Sequence, residues 1–153
     1  MFDKKIISAV AIGIILTATS VFGADADRIL GLWNTAENKS KIEIFKCGDK
    51  YCGRIAELKE PNYTADDKDG PVGQPKIDRK NPDPSLRTHT LLGLELMHGF
   101  SYSGDNVWAG GKIYNPEDGK TYKCKMTLSA PNRLGVRGFI GFSLLGKTET
   151  WNR

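Results

Sequence analysis

The side chains of this sequence whose types could do chemistry are few: three cysteines, two histidines, and some charged residues brought near one another by turns. Cys47 and Cys52 flank Gly48-Asp49-Lys50-Tyr51, a four-residue connection of hairpin length. If the two cysteines face each other, Phe45 opposes Arg54 and Ile44 opposes Ile55. Ile42, Ile44 and Ile55 then share a core face, while Glu43, Phe45, both cysteines and Arg54 share the outer one. The spacing predicts a disulfide at a hairpin end. A metal site would need more ligands, and His89 and His98 are the only imidazoles in the chain. Cys124 alternates with Tyr122, Met126 and Leu128 against Lys123, Lys125 and Thr127, the pattern of a small buried hydrophobe and not of a reactive thiolate.

No arrangement of these residues reads as a catalytic centre. Gly99-Phe100-Ser101-Tyr102-Ser103-Gly104 carries its second glycine one place too late for a nucleophile elbow. Gly135-Val136-Arg137-Gly138-Phe139-Ile140-Gly141 lies in a strand pattern and lacks the spacing and following helix of a phosphate loop. Asp78 with His89 or His98 would be a dyad only if the fold brought them together, and nothing in the sequence does so. No metal and no cofactor is expected.

Arg137 is the most pointed of the charged residues. In a hairpin that pairs Gly141 with Leu145, Arg137 stands opposite Glu149 and beside Phe139. On an outward face the two make a weak exposed pair. On an inward face Arg137 needs Glu149 or an anionic ligand group.

The elements that must position these residues are strands. Eight short runs alternate with turn signals: residues 30–34, 41–46, 51–58, 90–102, 107–114, 121–129, 134–140 and 145–151. Ser103-Gly104-Asp105-Asn106, Asn115-Pro116-Glu117-Asp118-Gly119 and Ala130-Pro131-Asn132 separate the later ones. Helical periodicity is weak, and only Asp27 to Leu32 suits a short turn that closes the bottom of a barrel. The first run carries Gly31-Leu32-Trp33 and the last Thr150-Trp151-Asn152-Arg153, which predicts that the two are neighbours in a closed antiparallel barrel of about eight strands. Such a barrel has room inside for packed side chains or one small ligand. Inward-facing wall candidates are Ile44, Ile55, Ile113, Tyr122, Met126 and Val136, with Arg137 and Arg87 as polar anchors; a filled core is the competing reading.

One connection breaks the hairpin rhythm. Residues 59–89 hold five of the seven prolines and many charges, a length typical of lids and binding loops. Asp66-Asp67-Lys68-Asp69-Gly70 fails as a calcium loop, because the alignment puts Ala65 at the first ligand position and Lys76 at the bidentate one. In the second half, Asn81-Pro82-Asp83-Pro84 stiffens the chain and could hold Asp78, Asn81, Asp83 and Arg87 as loop anchors, either toward a ligand or toward the loop itself. The loop is expected to cover one barrel end, its second half better ordered than Asp66 to Gly70, which has nothing apolar to bury.

Ahead of the strands, Lys4 and Lys5 precede the apolar run Ile6 to Leu16, then polar residues, then small ones at Gly23-Ala24. This is the order of a secretory signal, expected to occupy residues 1–23 and leave a single domain over 24–153, periplasmic or secreted. The polar residues from Thr17 onward leave the run short of a spanning helix, so no transmembrane span is expected after cleavage. The chain carries 22 Lys and Arg against 18 Asp and Glu. Both signs are interspersed and the lysines look scattered, which excludes the basic stripe of a nucleic-acid binder.

Taken together, Gly31-x-Trp33, Cys47-Gly48-x-x-x-Cys52-Gly53-Arg54-Ile55, Asn81-Pro82-Asp83 before Arg87, Trp108-x-Gly110-Gly111-Lys112-Ile113-Tyr114, Gly119-Lys120-Thr121-Tyr122, Val136-Arg137-Gly138-Phe139 and Trp151-x-Arg153 resemble the exported bacterial proteins grouped as domain-of-unknown-function family 2147. The resemblance spans residues 28–153. It implies a lipocalin-like barrel and an exported protein, and it brings no assigned activity. Gly31-x-Trp33 and Arg153 also resemble the lipocalin arrangement, which implies that Arg153 packs over Trp33 as a structural contact. The expected function is binding of a small apolar or amphipathic ligand. The alternative is a protein-interaction module acting through the long loop, and an enzyme ranks third.

Overall fold

The structure is a computed structural model that describes residues 21–153; most of the expected signal segment lies outside the described residues. A short helix α1 (Val21–Ala26) and a 3-10 turn (Asp27–Ile29) lead into β1 (Gly31–Asn34), β2 (Ser40–Cys47), β3 (Lys50–Leu58), β4 (Glu95–Tyr102), β5 (Val107–Asn115), β6 (Lys120–Ala130), β7 (Arg133–Phe139) and β8 (Lys147–Asn152). Each strand pairs with the next and β8 returns to β1, giving a closed antiparallel barrel. Among the described residues every strand thus has a partner on both sides.

Alternation sets the core. Trp33, Ile42, Ile44, Ile55, Met97, Phe100, Trp108, Met126, Leu128, Leu134, Val136 and Trp151 are buried together and fill the barrel. The four bulkiest inward rings, Trp33, Phe100, Trp108 and Trp151, occupy space that a hollow barrel would leave for a ligand. Gly111 is required by this packing, because a Cβ there would run into the Phe100 ring.

Two expected registers differ from the observed ones. Cys47 pairs with Lys50 and Phe45 with Cys52, so the β2–β3 hairpin turns on two residues, Gly48-Asp49, not four. The positive φ of Gly48 (68°) suits the tight turn. The shift is two residues, an even number, so the faces are unchanged and Ile42, Ile44 and Ile55 still point inward. Cys47 and Cys52 lie diagonally across the ladder with Cα atoms 5.9 Å apart and form the disulfide. Strand β4 begins at Glu95 and not at Thr90, because Leu91 and Leu94 turn in against the core from a loop conformation.

One end of the barrel is sealed. Ile29 is buried in it, the Trp33 indole N–H donates to Ile29 O at 2.8 Å, and the Trp108 indole N–H donates to Ala26 O at 3.0 Å. Asp27 accepts from Lys46 Nζ (2.8 Å) and Tyr51 Oη (2.7 Å). Lys46, with help from the Tyr51 hydroxyl, holds the Asp27 carboxyl below the usual carboxylate range. The expected closing turn at Asp27 to Leu32 is thus present, as a plug.

Arg153 locks the plug to the barrel. Its guanidinium lies 4.3 Å from the Trp33 ring centroid and donates to Pro131 O (3.0 Å), Leu30 O (3.0 Å) and Arg28 O (2.9 Å). The lock matters because the β1–β8 seam has a single register pair, Asn34 with Asn152. Arg153→Ala should cost about 1–3 kcal/mol in urea denaturation, and Arg153→Lys should recover little of it, since an ammonium cannot span three carbonyls while stacking on an indole.

Cys124 is the free cysteine, buried between β5 and β7, and burial pushes its thiol up to about 12. Ellman's reagent should find no reactive thiol in the native protein at pH 8, where a group with so high a pKa is protonated. One thiol should appear after unfolding without reductant. Cys47→Ser with Cys52→Ser should cost no more than the roughly 3 kcal/mol of a 15-residue loop.

Candidate functional site

The antiparallel order puts residues 35–39, 59–94, 116–119 and 140–146 at the end opposite the plug. This is the mouth. Its inner wall is built by alternation on four strands. Cys124 faces inward and pairs with Gly138, which in turn pairs with Lys147, while Ile113 pairs with Tyr122 and Val136 with Glu149. The mouth-end positions of that face are therefore Ile113, Tyr122, Gly138, Lys147 and Glu149.

Gly138 puts no side chain over its neighbours on this wall. A Cβ placed there would find Tyr122 Cβ at 3.7 Å and Ile113 Cγ2 at 3.9 Å, ordinary contact distances, so a larger side chain would stand over both. Ile113 and Tyr122 are only partly buried, whereas Ile44, Ile55, Met126 and Val136 are packed into the core. Of the six expected wall residues, two line the mouth and four fill the interior. The Tyr122 hydroxyl donates to Asp118 Oδ2 at 2.5 Å, which holds the ring upright at the rim and raises the phenol pKa. Lys147 and Glu149 bring one charge of each sign, their polar atoms 3.9 Å apart. An apolar floor with a charged rim can take an amphipathic molecule.

Arg137 is not part of this wall. Its strand partner is Thr148, and Glu149 belongs opposite Val136. The expected Gly141–Leu145 pairing is one residue out of register, an odd number, so the two do not share a face: Arg137 is on the outer one and Glu149 on the inner one. The longer connection, residues 140–146 with a 3-10 turn at Ser143–Leu145, is what shifts the register. Arg137 donates to Ser143 O (2.6 Å), Leu144 O (3.1 Å) and Thr148 Oγ1 (2.8 Å), so its guanidinium shapes that turn. Ile140 and Leu145, read from the sequence as strand ends, instead belong to the turn and are 70% and 82% exposed. Gly141, with φ 71°, and Gly146, whose Cβ would strike Gly138 O, mark its bounds and were the signal available in the sequence.

The long loop is a folded collar beside the mouth. Asp78 is 1% exposed and accepts from Tyr114 Oη and Asn81 Nδ2, both at 2.6 Å. No ion pair reaches it among the described residues. Asn81 Oδ1 accepts from Asp83 N (2.9 Å), Asp83 Oδ1 caps the turn Pro84–Leu86 through Ser85 N (2.9 Å), and Arg87 Nε donates to Asn81 O (2.7 Å). Burial and the neighbouring Asp78 together push the Tyr114 phenol well above its ordinary value. Asp78, Asn81, Asp83 and Arg87 thus tie the loop to itself and to β5, and they do not converge with the wall. Lys80 Nζ donates to Glu117 O at 2.7 Å and the Lys80 carbonyl leaves no room for a Cβ on Gly119, so the loop also grips the β5–β6 turn.

The first half of the loop is anchored as well, by a residue the sequence reading passed over. Tyr63 is buried against Gly70, and the Tyr63 hydroxyl accepts from Ile77 N at 3.3 Å. Open hollows of about 450 Å³ and 120 Å³ are lined by loop and hairpin residues, the first by His89, Thr90 and 92–95 and the second by Lys46 and 48–51. No group of metal-ligating side chains occurs among the described residues, and no helix among them is long and apolar enough to cross a membrane.

The family model described as "Uncharacterized protein conserved in bacteria (DUF2147)" matches residues 31–153. The chain belongs to the DUF2147 family. A solved structure titled as protein HP1028 from the human pathogen Helicobacter pylori, belonging to the lipocalin family, is similar at 25% identity over 82% of each chain, with a TM-score of 0.68. No curated protein gives a significant match. The barrel is thus lipocalin-like, an architecture that suggests small-molecule binding in general.

Tyr114→Phe leaves the buried Asp78 short of a donor and should cost about 1–3 kcal/mol. Hydrogen exchange should quicken at residues 77–86 in that variant while the β2–β3 amides stay protected. Arg87→Ala, which removes an exposed donor, should have a much smaller effect.

Proposed function

We propose that this DUF2147 member is an exported binding protein of the bacterial envelope, periplasmic or secreted, that holds a small amphipathic molecule at the mouth of its barrel. The observation that carries the proposal is the juxtaposition at Gly138, the Gly138 hollow of this reading, where a position without a side chain leaves Ile113 and Tyr122 beside Lys147 and Glu149. The interior beyond it is filled, so the ligand engages the mouth by its apolar part and leaves its polar end at the rim. The Cys47–Cys52 disulfide accords with an oxidising compartment, and the signal pattern over residues 1–23 accords with export of a domain over 24–153. The loop over 59–89 serves as a collar in this reading, because its polar side chains bond within it.

The test is native mass spectrometry of the protein isolated from the envelope of its own host, followed by displacement of a fluorescent fatty acid. The wild type should carry a small adduct and bind the probe. Gly138→Leu should lose at least tenfold in affinity with the thermal midpoint within a few degrees, and Arg137→Ala should keep its affinity. An adduct-free protein that ignores the probe, or a Gly138→Leu variant with unchanged affinity, would overturn the proposal.

A further inference from the structure

The turn between β7 and β8 presents Ile140, Phe142, Leu144 and Leu145 at 70%, 80%, 89% and 82% exposure. Such a cluster is unusual on a soluble surface, where large apolar patches mark interaction sites. These side chains are not loose ends. Arg137 bonds two of the turn's carbonyls, Leu145 N donates to Phe142 O at 3.1 Å, and Gly146 is pressed against the Gly138 carbonyl. The backbone is thus fixed in a form that points apolar groups at solvent instead of folding them onto the barrel. The result is a protruding knob at the mouth rim.

Below the knob the outer face of β6 and β7 is basic, while on the inner side of the rim Lys147 is paired with Glu149. Residues 120–148 contain Lys120, Lys123, Lys125, Arg133, Arg137 and Lys147 and no aspartate or glutamate, in a chain with 18 acidic residues. The lysines that look scattered along the sequence are gathered by the register: Lys123 pairs with Phe139 and Lys125 with Arg137, on the outer face of β6 and β7 directly below the turn. We infer that this end of the barrel docks on the anionic surface of a lipid bilayer, with Ile140, Phe142, Leu144 and Leu145 inserted among the acyl chains and Lys123 and Lys125 against lipid headgroups.

Two features select this occupant. A knob splayed to nearly full exposure needs a partner that deforms around it, which a bilayer does. Weak apolar insertion also becomes stable attachment when a basic patch adds a second contribution, and both are present here. A nucleic acid would use the cations but not four aliphatic or benzyl side chains standing clear of them. The inference does not depend on the ligand at the Gly138 hollow, although docking would place that hollow beside the bilayer.

The experiment is cosedimentation of the protein with vesicles of phosphatidylcholine alone or mixed with phosphatidylglycerol, at low and high salt. Binding should rise about tenfold or more with phosphatidylglycerol and fall with salt. Phe142→Asp with Leu144→Asp should abolish it without altering the thermal midpoint, since both side chains are exposed. Lys123→Gln with Lys125→Gln should remove most of the preference for phosphatidylglycerol. In a Phe142→Trp variant, added to the buried Trp33, Trp108 and Trp151, emission should shift to the blue on the mixed vesicles. Failure of the wild type to sediment with either vesicle would overturn the inference. So would a double-aspartate variant that sediments like the wild type, or a wild-type dimer in solution that the two aspartates dissociate, since the turn would then be a self-association surface. A wild type that binds vesicles but no fatty acid leaves the docking surface standing and removes only the proposed ligand.

Discussion

The stacking of the Arg153 guanidinium on Trp33 is the contact on which closure of the barrel depends. Seven of the eight strand junctions have several register pairs, but the eighth has one. A planar, permanently charged group suits that weak point, because it can stack on the indole and offer its edge to the carbonyls of Pro131, Leu30 and Arg28 at once. The same tryptophan uses its N–H to hold Ile29 O, so plug, first strand and last strand meet on one ring. By comparison, the indole N–H of Trp151 is buried without a partner, and that ring contributes by packing alone.

The lower barrel is sealed and filled, and the loops gather at the mouth. The three elements there divide the work. The inner wall carries a glycine-made hollow, the collar is held on β5 by a buried carboxylate, and the β7–β8 turn carries exposed apolar groups. Arg137 and Asp78 have parallel roles in this scheme: each fixes a loop from behind, and neither faces the hollow.

The barrel, its strand count, the disulfide and the buried Cys124 were legible in the sequence because alternation and turn residues encode them directly. Register was less legible, and its parity held in one hairpin and failed in another. In the β2–β3 hairpin the error was two residues and cost nothing, since Ile42, Ile44 and Ile55 kept their face. Between β7 and β8 the error was one residue, and it put Arg137 and Glu149 on opposite faces instead of the same one. That junction has two glycines and four apolar residues in seven positions, so no polar boundary marks where the strands end. Glu149 and Lys147 as inward residues, Gly138 as the hollow and Tyr63 as the anchor of the loop's first half were not legible, because each depends on what lies across the sheet or across the loop and not on its chain neighbours.

The Arg153 clasp also bears on how the molecule is made. Its bonds to Leu30 and Arg28 join positions 123 and 125 residues apart, so the lower end cannot be sealed before the chain has emerged as far as Arg153. The hairpins from β1 to β8 are local and can pair early, whereas the β1–β8 seam and the clasp on the plug must wait for the end of the chain. During that interval the open seam between β1 and β8 is an unpaired edge, so the barrel's most aggregation-prone species is one that has folded all but its last contact.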